Sequence, residues 1–417
     1  MADLVSRRTI YTAGFGVFIV GSALSGAAPD FAVLLGARVL QAVGAGMLQS
    51  NSVAIVTAAA PPGERGRAIG FQAAAQAIGL ALGPTIGGLL VGWLGWRAIF
   101  YVNVPVGILG TLAGLALLPD DSRERALGEG RRVGFDVPGA VALAVTLVAL
   151  MFGITQGYKL GWTSPPVLAS FAAAIGALGV LAVVERRTRF PLVHPALLRV
   201  PIFMWGNLTG LLTYATLFGV LFLMPFEFER AFHLTPALAG LLLTAVPLSM
   251  MATSPFGGLL ADRYGAHRLT SLGAILMEFG VIALALLGGL RSPYVLLAPL
   301  VVVGIGMGLF TPPNNSSVMG SAPSAHLGTA GGVLNMARSL GMSIGSAIGA
   351  TLYASFLLVY TGTEHSLATT PNLAACRDAF LGFALIAAAT VMFALTRGDD
   401  GSATPTPGER QPFVAEL

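Results

Sequence analysis

The chain has 417 residues, of which 55% are hydrophobic and 10% charged, and its mean hydropathy is +0.79. A soluble domain carries roughly a quarter charged residues, so this composition predicts an integral membrane protein. The chain has a single cysteine, which excludes an internal disulfide framework. Its five histidines lack metal-ligand spacing, which argues against a metal centre. The net charge of +4 is spread over short loops and forms no basic face for nucleic acid.

Twelve apolar segments have the length of about 20 residues that a helix needs to cross a bilayer. Breaks at proline, glycine and charge clusters place them at 9–27, 32–59, 69–92, 98–118, 136–157, 166–185, 202–224, 236–258, 270–289, 295–320, 329–358 and 378–396. The polar, proline-rich residues 397–417 are predicted to form a disordered tail. The sequence therefore predicts an all-α membrane protein.

Lysine and arginine are divided unequally between alternate loops, with sixteen on one side of the predicted membrane and five on the other. Cytoplasmic loops carry the excess of these residues. We therefore expect a multi-pass protein of the cell membrane with both termini in the cytoplasm.

The stretch GLALGPTIGG at 79–88 is the most specific pattern in the chain. It contains Gly79, Gly83, Pro84, Gly87 and Gly88. Glycines at i, i+4 and i+8 share one helical face, which lets a second helix approach closely, and the proline can kink the span. The alternative is a plain glycine packing face.

A second stretch, GMSIGSAIGA, repeats this spacing with Gly341, Gly345 and Gly349. For this stretch we favour the plain interpretation, which is a face that packs against another helix.

The chain contains an internal repeat, in which ADLVSRR at 2–8 aligns with ADRYGAH at 261–267. Each copy lies in a short loop before a new span. Repeated halves are typical of secondary transporters. Two spans of the same half precede the second copy, whereas one residue precedes the first. We therefore expect two further helices of the fold to belong ahead of Met1.

These motifs resemble those of the major facilitator superfamily. GLALGPTIGG resembles the fifth-helix motif of its antiporters, and GGLLADRYGAHRL at 257–269 resembles its loop motif. RVLQAVGAG at 38–46 resembles its fourth-helix motif, with Ala42 where glycine is usual. WRAIFYVNVPVGI at 96–108 looks like the sixth-helix start in the fourteen-helix drug:proton antiporter branch.

The resemblance implies two pseudo-symmetric helix bundles. Residues 1–118 would form an incomplete N-terminal bundle of four spans, and 119–200 a linker with two extra spans. Residues 201–396 would form the C-terminal bundle of six spans, followed by the cytoplasmic tail 397–417.

The resemblance also implies a secondary transporter that exports hydrophobic or amphipathic compounds, such as drugs and antibiotics, in exchange for protons. Its partners would be the lipid bilayer, a small hydrophobic or cationic substrate and protons. The branch's usual proton-carrying aspartate lies on a first helix that this chain lacks, so we expect the chain to insert without transporting. The alternatives are an importer of a small solute or a non-transporting membrane scaffold. A membrane enzyme is not expected, because it would need an intramembrane catalytic cluster, which the sequence lacks.

The resemblance assigns gating to two cytoplasmic loops. The residues concerned are Asp3, Arg7, Arg8, Gly258, Asp262, Arg263, Gly265 and Arg268. The Asp262 carboxylate is expected either to cap a helix N-terminus or to pair with an arginine across the two halves.

Polar residues inside spans are candidates for the proton and substrate pathway, because burying them in lipid is costly. They are Arg38, Gln41, Gln49, Asn51, Asn207, Thr213, Tyr214, Glu278, Thr311, Asn314 and Asn315. Of these, Arg38 is expected beside the central cavity, and Glu278 on a peripheral helix. We interpret Arg338 as a residue that snorkels to the interface, and Glu227 and Glu229 as interfacial.

Overall fold

The computed structural model describes residues 7–61, 64–118, 136–188, 197, 199–288, 292–323, 327–362 and 369–396. Within these ranges the chain is helical and contains no strand. Asp3 and the tail 397–417 lie outside the described residues.

Fourteen α-helices make up the described chain. They are α1 (Arg7–Ala27), α2 (Phe31–Ala59), α3 (Arg65–Leu94), α4 (Ala98–Tyr101), α5 (Asn103–Leu117), α6 (Val137–Leu160), α7 (Pro165–Arg187), α8 (Pro201–Pro225), α9 (Pro236–Leu243), α10 (Ala245–Tyr264), α11 (Ala266–Leu287), α12 (Leu297–Gly320), α13 (Leu327–Thr361) and α14 (Thr369–Thr396). A π-helical turn, Phe226–Ala231, extends α8, and a 3-10 turn, Pro293–Leu296, leads into α12.

Eleven helical segments among the described residues are long and apolar enough to cross a membrane. They coincide with eleven of the twelve predicted spans, α4 with α5 and α9 with α10 each forming one. The remaining predicted span, 69–92, lies within α3, whose 30 residues extend over about 45 Å. Several side chains of α3 lie outside the described residues.

Short polar side chains and prolines fix where several helices begin. The backbone N–H of Val33 donates to Asp30 Oδ1 at 2.9 Å, and the N–H of Gly139 donates to Asp136 Oδ1 at 2.8 Å. These N-caps satisfy donors that the first turns of α2 and α6 leave without helical partners. Prolines occupy the first turn of α6, α7, α8 and α9, where a missing N–H costs nothing.

The core lies among α8 to α14, where Val220, Leu223, Leu284, Leu300 and Val303 are fully buried. Helix α8 packs against α13 and α14, α11 packs against α12 and α14, and α10 packs against α12. In the N-terminal part, α1 packs against α2 and α5, whereas α3 packs mainly against α10 and α12 of the C-terminal part. Helices α6 and α7 form a pair that contacts α13 through α6.

The glycine pattern of α13 is a close packing face, as predicted. A Cβ atom at Gly341 would lie 2.3 Å from the carbonyl oxygen of Leu211, and one at Gly345 would lie 2.0 Å from that of Ala215. Both distances are far below van der Waals contact, so the backbones of α8 and α13 touch here.

The prediction that Glu227 is interfacial is wrong. The side chain of Glu227 is fully buried, whereas Glu229 is exposed. The π-helical turn accommodates an extra residue, so Glu227 and its neighbour Phe228 both point into the bundle. Neither carboxylate oxygen of Glu227 has a hydrogen-bond partner in the described part of the chain.

Candidate functional site: a central cavity

A cavity of about 370 Å³ lies where helices of the N-terminal part meet those of the C-terminal part. Its lining residues come from α2, α3, α8, α10 and α13. They are Gln49, Gln76, Ala77, Tyr214, Leu217, Phe218, Met250, Arg338 and Met342. The cavity thus combines an apolar wall with a small polar group of two amides, a phenol and a guanidinium.

Arg338 holds the polar end of this cavity together. Its Nη1 donates to Gln76 Oε1 at 3.0 Å and its Nη2 to Gln49 Oε1 at 2.7 Å, so one side chain of α13 binds both α3 and α2. Nη2 also donates to Asn335 Oδ1 at 2.6 Å, one turn earlier in α13. The guanidinium lies 5.8 Å from the ring centroid of Tyr214, within cation–π range.

The Arg338 side chain is 9% exposed, and all three of its hydrogen-bond acceptors are neutral amide oxygens. Within the described ranges, no carboxylate forms an ion pair with it. The interpretation of Arg338 as a snorkelling residue is therefore wrong, because its guanidinium turns inward to amides on two other helices.

A second, smaller space of about 10 Å³ adjoins the same arginine and has room for about one water molecule. Tyr214 and Arg338 line both spaces. Asn207 Oδ1 and Thr311 Oγ1 are buried here without a hydrogen-bond partner among the described residues. The smaller space therefore offers polar atoms that the protein itself does not satisfy.

Most of the amides and hydroxyls predicted for the pathway lie around these two spaces. Gln49 lines the larger one, Tyr214 lines both, and four further residues line the smaller one: Asn207, Thr311, Asn314 and Asn315. Thr213 instead donates to the carbonyl oxygen of Thr209, inside its own helix. The side chain of Asn51 lies outside the described residues.

The prediction of Arg38 beside the central cavity is wrong. Arg38 is exposed, and it lines neither cavity. It lies eleven residues before Gln49, which places it on the same face of α2 but about 16 Å further along the axis. Its guanidinium donates to Gln41 and lies 5.6 Å from the ring centroid of Phe100.

Gln41 serves the contact between α1 and α2. It is buried, accepts from Arg38 and donates to the Ser22 hydroxyl. A Cβ atom at Gly21 would lie 2.4 Å from the Gln41 backbone nitrogen, so the two helices touch beside this bond. The motif that contains Arg38 and Gln41 therefore builds a helix interface.

Glu278 lies on α11, which packs against α12 and α14, and it lines neither cavity. Its side chain is half-buried, and Oε2 has no partner among the described residues.

Asp262 adopts the first of its two expected arrangements, the helix cap. Its Oδ1 accepts from the backbone N–H of Gly66 and its Oδ2 from that of Arg67, each at 2.9 Å. The carboxylate of α10 therefore caps the N-terminus of α3, where the helix dipole favours negative charge. A Cβ atom at Gly258 would lie 2.0 Å from the Gly66 carbonyl oxygen, so the two backbones touch one turn away.

The other residues of the two loops have separate local roles. Gly265 ends α10 at a φ of +91°, a conformation that side-chain-bearing residues rarely adopt. The Arg263 guanidinium lies 5.4 Å from the ring centroid of Tyr264, and Arg268 is exposed. Arg8 Nη2 donates to the Leu115 carbonyl oxygen at 2.6 Å, and the side chain of Arg7 lies outside the described residues.

The glycine face of α3 does not contact another helix in the described chain, contrary to prediction. A Cβ atom at Gly79, Gly83 or Gly87 would meet nothing within 4 Å. Helix α3 is covered on its other side, where a Cβ atom at Gly70 would lie 2.6 Å from the Ser254 carbonyl oxygen. Gly79 follows Gly70 by nine residues, or about two and a half turns, which points it away from α10. The side chain of Pro84, and the surroundings of Gly88, lie outside the described residues.

A polytopic helical protein with a part-polar central cavity is typical of secondary transporters. A family model described as Major Facilitator Superfamily matches residues 1–346 and 206–416. The chain belongs to the Major Facilitator Superfamily. It is therefore a transporter and not an enzyme, and the fold expected from the motifs is confirmed.

Characterised relatives point in two functional directions. The chain is 32% identical to riboflavin transporter RibZ of Clostridioides difficile over 86% of its own length and 76% of that protein. It is also 32% identical to multidrug resistance protein Stp of Mycobacterium tuberculosis, over 86% of its own length but only 65% of Stp. The chain thus spans just under two thirds of Stp.

Solved structures agree on the fold. The human organic anion transporter MFSD10 superposes with a TM-score of 0.65, covering 94% of this chain and 78% of that one, at 17% identity. At this identity the likeness concerns the fold alone.

Proposed function

We propose that, contrary to the inactivity expected from the sequence, the chain exports hydrophobic or amphipathic compounds, including drugs, in exchange for protons by alternating access. The observation that best supports this is the cavity between the bundles. At about 370 Å³ it falls in the usual range of ligand sites, and its mostly apolar wall with a few polar groups is typical of them. Similarity to multidrug resistance protein Stp supports export of drugs.

The cap between Asp262 and α3 supports alternating access. It joins the two parts of the chain at one end through two backbone hydrogen bonds, which can break when that end opens. The loops expected to be cytoplasmic include those with Arg65, Arg67 and Arg263 at this end. We propose accordingly that this end faces the cytoplasm, that both termini lie there, and that the protein resides in the cell membrane.

The division of the chain into an N-terminal bundle, a linker with two spans, a C-terminal bundle and a tail, at residues 118, 200 and 396, also remains a proposal. Two observations support it. Helices α6 and α7, which lie between the two parts in the sequence, pair with each other, and α8 to α14 share one core.

Dye accumulation in everted membrane vesicles tests the proposal. In such vesicles export moves dye into the lumen, so imposing an acidic interior should drive accumulation of an anionic, a neutral or a cationic amphipathic dye. A protonophore should abolish it, and vesicles without the chain should show none. Accumulation of no dye would contradict export, and accumulation that resists the protonophore would contradict proton exchange.

The second candidate function is transport of a small solute into the cell, and similarity to riboflavin transporter RibZ supports a small solute as the substrate. Intact cells that produce the chain should then accumulate labelled riboflavin faster than control cells. Slower accumulation than in the controls would favour export.

A further inference from the structure

Among the residues that the structure describes, the cation buried at the central cavity has no counter-ion. Arg338 is 9% exposed and donates only to the amide oxygens of Gln49, Gln76 and Asn335. None of the nine residues that line the larger cavity is acidic. The polar end of this cavity therefore carries a net positive charge.

A buried charge of this kind is costly unless a partner compensates it. Three neutral amides satisfy donors of the guanidinium, but they supply dipoles and no opposite charge. Hydrogen bonds to an ionised acceptor are roughly twice as strong as those between neutral groups, and a guanidinium can hold a carboxylate through two of them. An acidic group in the cavity would supply the missing charge.

The remaining wall fits an apolar body. Leu217, Phe218, Met250 and Met342 line the same cavity as Arg338, and methionine side chains adapt to ligands of different shape. Tyr214 adds an aromatic ring beside the guanidinium. A ligand with one acidic end and one aromatic or aliphatic end would contact both parts of the wall.

We propose that this cavity binds amphipathic organic anions, whose acidic group pairs with Arg338 while their apolar body packs on the side chains of α8, α10 and α13. The inference rests on the proposed function, because it names the substrate class of the same site. It replaces the cationic substrate expected from the family resemblance, since a cation would meet the charge of Arg338 at close range.

Two dyes with related ring systems and opposite charge test the proposal. Fluorescein and rhodamine 123 share a xanthene ring, but at neutral pH the first is an anion and the second a cation. Fluorescence polarisation with the purified 417-residue chain should show saturable binding of fluorescein and at least tenfold weaker binding of rhodamine 123.

Three variants test whether the positive charge of Arg338 binds the acidic group of fluorescein. Arg338→Gln should weaken fluorescein binding about tenfold to a hundredfold, as expected for a lost charge-assisted hydrogen bond. Arg338→Lys keeps the charge and should retain part of the affinity. Arg187→Gln removes the same charge from an exposed position at the end of α7 and should change nothing.

Preferential binding of rhodamine 123 by the parent chain, or equal fluorescein binding by Arg338→Gln and the parent, would overturn the inference. The parent comparison needs no variant, so it holds even if Arg338→Gln fails to fold. Rhodamine 123 preference combined with proton-driven export of that dye would leave the proposed function intact. Export of no dye by everted vesicles would instead count against the proposed function itself.

Discussion

The Asp262 carboxylate accepts a hydrogen bond from the backbone N–H of Gly66, a residue 196 positions earlier in the chain. With the second bond to the Arg67 N–H, it closes the N-terminal turn of α3 from another helix. N-caps of this kind usually come from the same chain segment; here the cap also joins the two parts of the transporter.

Removing this cap should loosen the start of α3. Asp262→Ala deletes both acceptors, so the Gly66 and Arg67 amides should exchange hydrogen faster, by about tenfold for a cap worth about 1.4 kcal/mol. Hydrogen exchange read by mass spectrometry on peptides covering 64–70 measures this. Arg263→Ala is the matched control and should leave the exchange rate unchanged, whereas equal rates in Asp262→Ala and the parent would show that the cap is not held in the membrane protein.

The two glycine faces should respond oppositely to a single methyl group. Gly345→Ala places a Cβ atom 2.0 Å from the Ala215 carbonyl oxygen and should lower stability by about 1–3 kcal/mol, as overpacking does. Gly83→Ala enters open space and gains helix propensity, so its stability should be equal or higher. Melting temperatures of the purified proteins decide this, and a Gly345→Ala protein as stable as Gly83→Ala would refute the close contact of α8 with α13.

Glu227 should be replaceable by an apolar side chain without loss of stability. Both carboxylate oxygens are buried without hydrogen-bond partners in the described chain, a state that costs about 1–3 kcal/mol per unsatisfied group. Glu227→Met should therefore raise the melting temperature. Glu229→Met, at the exposed position two residues on, should stay within about 0.5 kcal/mol of the parent. A clear loss of stability in Glu227→Met would mean that the carboxylate has a partner in the membrane.

Gln41 should act as a structural link between α1 and α2. Gln41→Leu leaves the buried Ser22 hydroxyl without its donor and should cost about 1–3 kcal/mol. Adding Ser22→Ala removes the stranded hydroxyl and should recover part of that loss. Thermal unfolding of the two single variants and the double variant forms a double-mutant cycle, and simple additivity of the two losses would argue against the link.

Spans and glycine spacing could be read from the sequence because both depend on local order along the chain. Hydropathy and length placed the helices, and helical periodicity identified the glycine faces of α3 and α13. Periodicity cannot tell which neighbour covers a face. Gly345 meets Ala215, whereas Gly83, with the same spacing, meets nothing within 4 Å.

The central arginine could not be assigned from its position in the sequence. Arg338 lies near the predicted cytoplasmic end of its span, where a long side chain can reach water. The guanidinium turns inward because Gln76 and Gln49 accept its hydrogen bonds, and these residues are 262 and 289 positions away in the sequence. Arg38 shows the converse. The cost of a charge inside a span suggested that it is buried beside the cavity, but the residue is exposed.

The glycine contact between α8 and α13 has a further consequence for Arg338. Arg338 precedes Gly345 by seven residues, about two turns, and so lies on the face of α13 that is held against α8 and Tyr214. A rocking motion that separates the two parts would carry Arg338, Asn335 and Tyr214 together and leave Gln49 and Gln76 behind. The guanidinium would then exchange two protein acceptors for water or ligand in each cycle, which makes its hydrogen-bond partners a direct reporter of the transport state.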